Sequence, residues 1–308
     1  MTLDLMSRAP SARQTSFDGH PAVELRAGAL TACFVPGAGM AGVSLRHEGQ
    51  ELLALEGGLA AYLERGAVLG IPFLHPWANR LEGWRYGDVR LPSDLPHDEH
   101  GLPIHGVLPQ SWELRSAGAE SDGSALRAVL AFPGAQAFPF PHEVEQHVTL
   151  GPSALTIATT MRATGTVAVP VAFGWHPYLR LPGVPRDAWQ ITLPPRRHLI
   201  ADERGLPTGE TVWERGLRGA LAGRSFDDGY DALGPAPRFE LAGGGHRLAV
   251  TFERGYPVAQ VFAPAGRELV CFEPMTAPVN ALVSGRGLRW IAPGGQLRAS
   301  FTIAVERG

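Results

Sequence analysis

Glycine and proline interrupt this chain so often that long helices have no room to form. There are 38 glycines and 27 prolines among 308 residues, and both residue types end or kink helices. Between the breaks lie short stretches that alternate apolar and polar residues, the period of a half-buried strand. Leu30-Ala32-Phe34 and Val43-Leu45 are early examples. Val144, Val148 and Leu150 continue the pattern, with Gln146 interrupting the apolar face, and Leu155-Ile157 follows. The clearest hairpin runs from Phe239 to Phe252, two alternating runs joined by the cluster Gly243-Gly244-Gly245. Only two segments read as helical: Gly57 to Gly66, with Leu59, Tyr62 and Leu63 at helical spacing, and the stretch near Glu210 to Leu221. The expectation is an all-β chain with minor helices, built as a large antiparallel β-sandwich. No linker, repeat or shift in composition divides it. Residues 1–15 read as a loosely ordered lead-in and residues 16–308 as a single domain.

Composition removes several classes of function. The net charge of −3 gives no electrostatic reason to expect nucleic acid or an anionic membrane as partner. No apolar run approaches the roughly 20 residues that span a bilayer, and the start carries an acidic residue, Asp4, and no apolar signal region. All 27 basic residues are arginine. Without a lysine there is no Schiff-base nucleophile, no anchor for pyridoxal phosphate and no Walker phosphate loop. Cys33 and Cys271, the only cysteines, lie in apolar strand-like runs and read as buried thiols in a cytoplasmic protein.

Two motifs are decoys. Gly37-Ala-Gly39-Met-Ala-Gly42 matches a dinucleotide fingerprint, but the helix that would hold a pyrophosphate is replaced by the alternating Val43-Ser-Leu45. His97-Asp98-Glu99-His100 contains metal-ligand residue types, yet four polar residues in a row read as a solvated loop, so no metal is expected. Three other segments each end on a group suited to proton transfer: Gly-Leu-Pro-Ile-His105-Gly, Phe-Gly-Trp-His176-Pro-Tyr178 and Val-Cys-Phe-Glu273-Pro. Two histidines and a carboxylate at the ends of apolar runs supply an acid, a base and a spare donor. A partly buried glutamate such as Glu273 tends toward a raised pKa, which suits a base working near neutrality. Asn79-Arg80 closes another mostly apolar run, where a guanidinium needs a partner or a cleft.

The order Asn79-Arg80, Ile104-His105-Gly106, His176-Pro177-Tyr178, Phe226-Asp227-Asp228 and Phe272-Glu273-Pro274, with Asn280-Ala281 following, resembles the aldose 1-epimerase (galactose mutarotase) family. Pro207-Thr-Gly-Glu210 and Val258-Ala-Gln260-Val-Phe are further likenesses, and the resemblance spans roughly residues 20–305. It implies a β-supersandwich and the interconversion of the α and β anomers of a free aldose, with neither metal nor cofactor. By position, Glu273 corresponds to the general base, His176 to the general acid and His105 to the second active-site histidine. Asn79, Arg80, Tyr178, Asp227 and Gln260 correspond to positions that bind sugar hydroxyls. The register at Asp227 rests on a run in which Asp228 follows directly. Acid and base are expected on opposite sides of the hemiacetal, with Trp77 or Tyr178 against the apolar side of the sugar. Two departures, His75-Pro76-Trp77 and residues 90–101, lie near the expected sugar site. A non-catalytic sugar-binding protein, a hexose 6-phosphate 1-epimerase and a glycoside hydrolase are the alternatives, though a hydrolase normally needs two flanking carboxylates. The partner expected is a small-molecule sugar, and the chain itself a monomer or homodimer.

Overall fold

The computed structural model describes residues 9–107 and 110–307. Strands dominate, and every strand-to-strand ladder is antiparallel. One sheet has nine strands, a second has eight, and a five-stranded sheet carries the chain from Ser11–Phe17 to Gln50–Glu51. The strand Ser11–Phe17, paired with His20–Ala27, begins inside the stretch 1–15 read from sequence as lead-in. Residues 1–8 fall outside the described residues.

The two large sheets pack face to face, and aromatic rings tie them together. Phe239 of the nine-stranded sheet lies 5.5 Å from Phe272 of the eight-stranded one, and Phe301 lies 5.7 Å from Trp175. Alternating positions of the nine-stranded sheet such as Val144, Val148, Leu155 and Ile157 are fully buried in the main core, as their period requires. Gln146 faces inward too, fully buried with both its polar side-chain atoms unpartnered. The 239–252 hairpin forms as Arg238–Gly243 and His246–Arg254 around Gly244-Gly245. The glycine decoy likewise leads into a strand, Ala41–His47, through a short 3-10 turn at Pro36–Ala38.

One helix expectation is met and one is overturned. Gly58–Arg65 is an α-helix whose Leu59 and Tyr62 are buried. Residues 210–221 are instead parts of strands Pro207–Glu214 and Leu217–Ala220. The first of these is an edge strand of the eight-stranded sheet, paired with Arg196–Ala201, and its Val212 and Trp213 are of the β-branched and aromatic types that favour a strand over a helix.

The eight-stranded sheet positions the candidate site because both of its faces are covered. In Val270–Met275 every residue is buried. Val270 and Phe272 join the main core, while Cys271, Glu273 and Met275 point to the opposite side. Val258–Ala263 repeats the division, with Ala259, Val261 and Ala263 in the core and Gln260 on the other face. Register then sets Gly229, Gln260 and Glu273 side by side across three strands.

Candidate active site

Glu273 and His176 meet because of strand register. Gly174 pairs with Met275 and Tyr178 with Cys271, so the residue midway, His176, falls opposite Glu273. His176 Nε2 lies 3.2 Å from Glu273 Oε1, and both side chains are almost wholly buried, at 7% and 1% exposure. Burial pushes the Glu273 carboxyl well above its ordinary range, with Asp227 adding to the shift and Arg80 opposing it. Burial likewise pushes His176 well below its ordinary value, helped by the nearby His105. An ionised pair at this distance would pull both groups the other way, but its desolvation penalty in so dry a place is large. The neutral form, with one proton shared between the two, is the state we assign to the resting pair.

Where the sequence reading expects acid and base on opposite sides of the hemiacetal, His176 and Glu273 are direct neighbours at 3.2 Å. The two oxygens that exchange protons, the C1 hydroxyl and the ring oxygen, are both bonded to C1. Neighbouring oxygens need neighbouring groups.

His105 lies edge-on to His176, with ring centroids 5.5 Å apart. It is left-handed at φ 60, as is Asn79, and the two clasp each other. Asn79 N–H donates to His105 Nδ1 at 3.2 Å, and His105 N–H donates to the Asn79 carbonyl at 3.1 Å. Non-glycine residues in this conformation are strained and recur at functional sites. Because Nδ1 accepts, the ring proton of neutral His105 is on Nε2. Burial lowers its pKa to about 3, so it is a neutral donor at physiological pH. Gly106 completes the loop where no side chain fits: a Cβ there would lie 2.2 Å from the His75 carbonyl oxygen.

Arg80 is boxed in by acceptors. Its Nε donates to Asp98 at 2.7 Å, and its Nη2 to Asp227 at 3.3 Å. Asn79 Oδ1 accepts from the Arg80 backbone N–H at 2.8 Å and from Nη1 at 3.3 Å, so its carbonyl oxygen helps orient the guanidinium. Gln260 Nε2 donates to the other oxygen of Asp227 at 2.8 Å. The register question between the two aspartates is thereby answered by alternation: Asp227 is on the cleft side, whereas Asp228 faces away to His198 at 3.2 Å.

Asp98 is the residue that sequence reasoning missed. It was taken for part of a solvated loop, yet its side chain is only 3% exposed. One carboxylate oxygen grips Arg80 and the other accepts from the backbone N–H groups of His100 and Leu102. The signal was present as an Asx-turn residue four positions before Leu102, but nothing local revealed a partner 18 residues upstream. Among the described residues, no group of three or more His, Cys, Asp or Glu side chains is arranged to hold a metal ion.

A cavity of about 290 Å³ opens beside this cluster, lined in part by Tyr62, Arg65, Arg80, His97, His105 and Tyr178. Tyr178 stacks on His176 with ring centroids 4.1 Å apart, so it holds the imidazole as well as lining the cleft. Trp77, the other aromatic candidate, is buried in the main core and faces no cleft. Glu273 Oε2, His176 Nδ1 and Gln260 Oε1 are buried with no hydrogen-bond partner. Buried polar atoms are rarely left so, and strand register sets these three next to one another.

Residues 21–304 match the family model for aldose 1-epimerase. The chain belongs to the aldose 1-epimerase family. It is 25% identical over 245 residues to an uncharacterized protein of Escherichia coli (strain K12), YihR, covering 76% of this chain and 78% of that one. A galactose mutarotase-like protein from Clostridium acetobutylicum superposes with a TM-score of 0.85 at 17% identity, over 96% of this chain and 98% of its own. The galactose 1-epimerase from Lactobacillus acidophilus NCFM gives a TM-score of 0.76 at 16% identity, over 96% and 97%. These structures share the sandwich, and the family makes the chain an epimerase-type isomerase acting on sugars.

Proposed function

We propose that this chain interconverts the α and β anomers of a free, neutral aldose by ring opening and closure, using its own side chains without metal or cofactor. The observation that carries the reading is the buried contact between His176 and Glu273, with unpartnered atoms on both groups. In ring opening, the proton that Glu273 holds at rest first passes to His176 as the sugar enters; the Glu273 carboxylate then takes the proton of the C1 hydroxyl while the His176 imidazolium gives its proton to the ring oxygen. The O–H electron pair becomes the carbonyl π bond, and the C1–O5 pair leaves on the ring oxygen. The pair ends neutral, the form its burial favours. After rotation about C1–C2 the steps reverse on the other face of the aldehyde. Each proton transfer contributes roughly 10²–10⁴-fold. His105 donates from Nε2 near the reacting oxygens, and Arg80, Asp227 and Gln260 form the polar floor that orients the hydroxyls. Two buried free thiols suit a cytoplasmic setting.

Charge favours a neutral sugar over a hexose 6-phosphate. A phosphate dianion needs uncommitted cations, whereas Arg80 already carries Asp98 and Asp227. The other guanidinium of the cavity, Arg65, has Glu64 at 3.8 Å, and Glu99 lines the same space. Polarimetry of freshly dissolved α-glucose or α-galactose tests the reading, and acceleration that survives EDTA is the expected result. Sugar binding without acceleration would make this a carbohydrate-binding protein, and a k_cat/K_M at least tenfold higher for glucose 6-phosphate than for glucose would overturn the substrate class.

A further inference from the structure

The outer face of the nine-stranded sheet, on the far side of the sandwich from the cleft, carries a second polar cavity of about 300 Å³. Its lining follows from register. Arg127, His147, Ala158, Ser300 and Arg254 form one row across five strands, and Glu145, Thr160 and Arg298 form part of the next. Ala158, Thr160 and Ser300 are short, so they make the floor of a hollow whose rim is three arginines and a histidine.

Arg254 owes its place to a bulge. Phe252 pairs with Phe301, and simple alternation would turn residue 254 inward like Phe252. The pairing instead skips Glu253 and sets Arg254 opposite Ser300 on the outer face. Bulges re-aim side chains in this way. Gly255 fixes the arrangement: at φ +80, a Cβ there would stand 2.7 Å from the Arg298 carbonyl oxygen. Arg254 and Arg298 are therefore diagonal neighbours on adjacent strands, within reach of one small ligand.

The charges do not balance within the hollow. Glu145, its one carboxylate, pairs with Arg127 at 3.2 Å. Among the described residues, no acidic side chain forms an ion pair with Arg254 or Arg298. His147 Nε2 is buried and has no hydrogen-bond partner. Two guanidinium forks, two hydroxyl donors and an unpartnered imidazole nitrogen around one hollow form the donor set that recognises a phosphate.

We propose that this hollow binds a phosphate group, separately from the sugar cleft, through Arg254 and Arg298 with Ser300 and Thr160. The test uses the full chain labelled with ¹⁵N-arginine and titrated with inorganic phosphate, with ionic strength held constant by sodium chloride. Saturable shifts of the Arg254 and Arg298 Nε–H signals are expected, and Arg254→Gln with Arg298→Gln should weaken binding tenfold or more. Glucose 6-phosphate supplies the second arm. Affinity equal to that of inorganic phosphate identifies free phosphate as sufficient, and tenfold tighter binding at the same two signals identifies a phosphorylated metabolite. Shifts that follow ionic strength alone, or that move Arg80 and leave these two arginines unchanged, would overturn the site. The wild-type titration reads these signals without any substitution, so a variant that fails to fold leaves the test intact.

Discussion

The buried pairs His75–His142 and His176–Glu273 differ in kind, and only the second has the makings of chemistry. His75 and His142 meet at 2.7 Å between their Nε2 atoms, and His142 Nδ1 donates to the Phe140 carbonyl at 2.6 Å. That donation fixes the tautomer, so His142 Nε2 accepts and His75 Nε2 carries the shared proton. Phe73, Phe132 and Phe138 surround the two rings. His176 and Glu273 are as deeply buried and as strongly shifted. The difference lies in what remains unmatched. The His75–His142 rings leave no buried nitrogen without a partner, whereas His176 Nδ1 and Glu273 Oε2 have none. A perturbed pKa therefore does not distinguish the two pairs here; their unpartnered buried atoms do.

The sharpest way to break the comparison is to remove the carboxylate from one pair. Glu273→Gln keeps the shape and one hydrogen bond but cannot take a proton, so k_cat for mutarotation should fall by roughly 10³-fold. Sugar affinity, read by calorimetry, should change little. The pH profile of the wild type adds a second measurement, because the pair works only while it holds one proton. Activity should fall in acid only below the ordinary histidine range, and in base only above the ordinary carboxylate range. Near-normal turnover in the glutamine variant would move the base to Asp227.

Arg80 comes next in expected size. Arg80→Ala removes charge-assisted hydrogen bonds of roughly 1.5–3 kcal/mol, so K_M should rise by about 10- to 100-fold with a smaller change in k_cat. Asp98→Asn keeps the shape but removes the charge that holds the guanidinium, and its K_M should rise by a smaller factor, on the order of threefold to tenfold. A loss in k_cat alone would show that Asp98 acts on the chemistry and does not merely position Arg80.

How far the sequence reached follows from which interactions are local. The apolar run before Glu273 placed it at the end of a strand, Gln260 was reached through the family resemblance alone, and the breaks at glycine and proline with the alternation between them marked the sandwich. What alternation does not give is which two strands lie side by side. The 3.2 Å contact between His176 and Glu273 depends on the pairing of Gly174 with Met275, far apart in the chain. Asp98 failed for the same reason, since its polar neighbours are local and its partner is not. The stretch 210–221 failed differently: its spacing was ambiguous, and edge pairing with Arg196–Ala201 decided it. Trp77 looked like a sugar platform beside Asn79-Arg80, but its ring is buried in the main core, and the left-handed backbone at Asn79 turns the chain between the two.

The smallest expected effect concerns the other histidine pair, and it tests whether that pair is structural. Burial lowers the pKa of His142 to about 4, against an ordinary 6.5. On acidification the unfolded chain takes this proton first, so the stability linked to His142 is complete above about pH 6.5 and declines as pH falls toward 4. For one such group the loss between pH 7 and pH 5 is roughly 2 kcal/mol. His142→Phe removes that contribution, and urea denaturation at the two pH values should show a loss smaller by about the same amount. The variant also leaves the His75 Nε2–H without its acceptor, which should lower stability at pH 7 by roughly 1–3 kcal/mol. Its k_cat and K_M at pH 7 should stay within about twofold of the wild type, a change of about 0.4 kcal/mol or less. A hundredfold fall in k_cat with the fold intact would place His75 and His142 in the catalytic machinery, and the distinction drawn from unsatisfied atoms would fail.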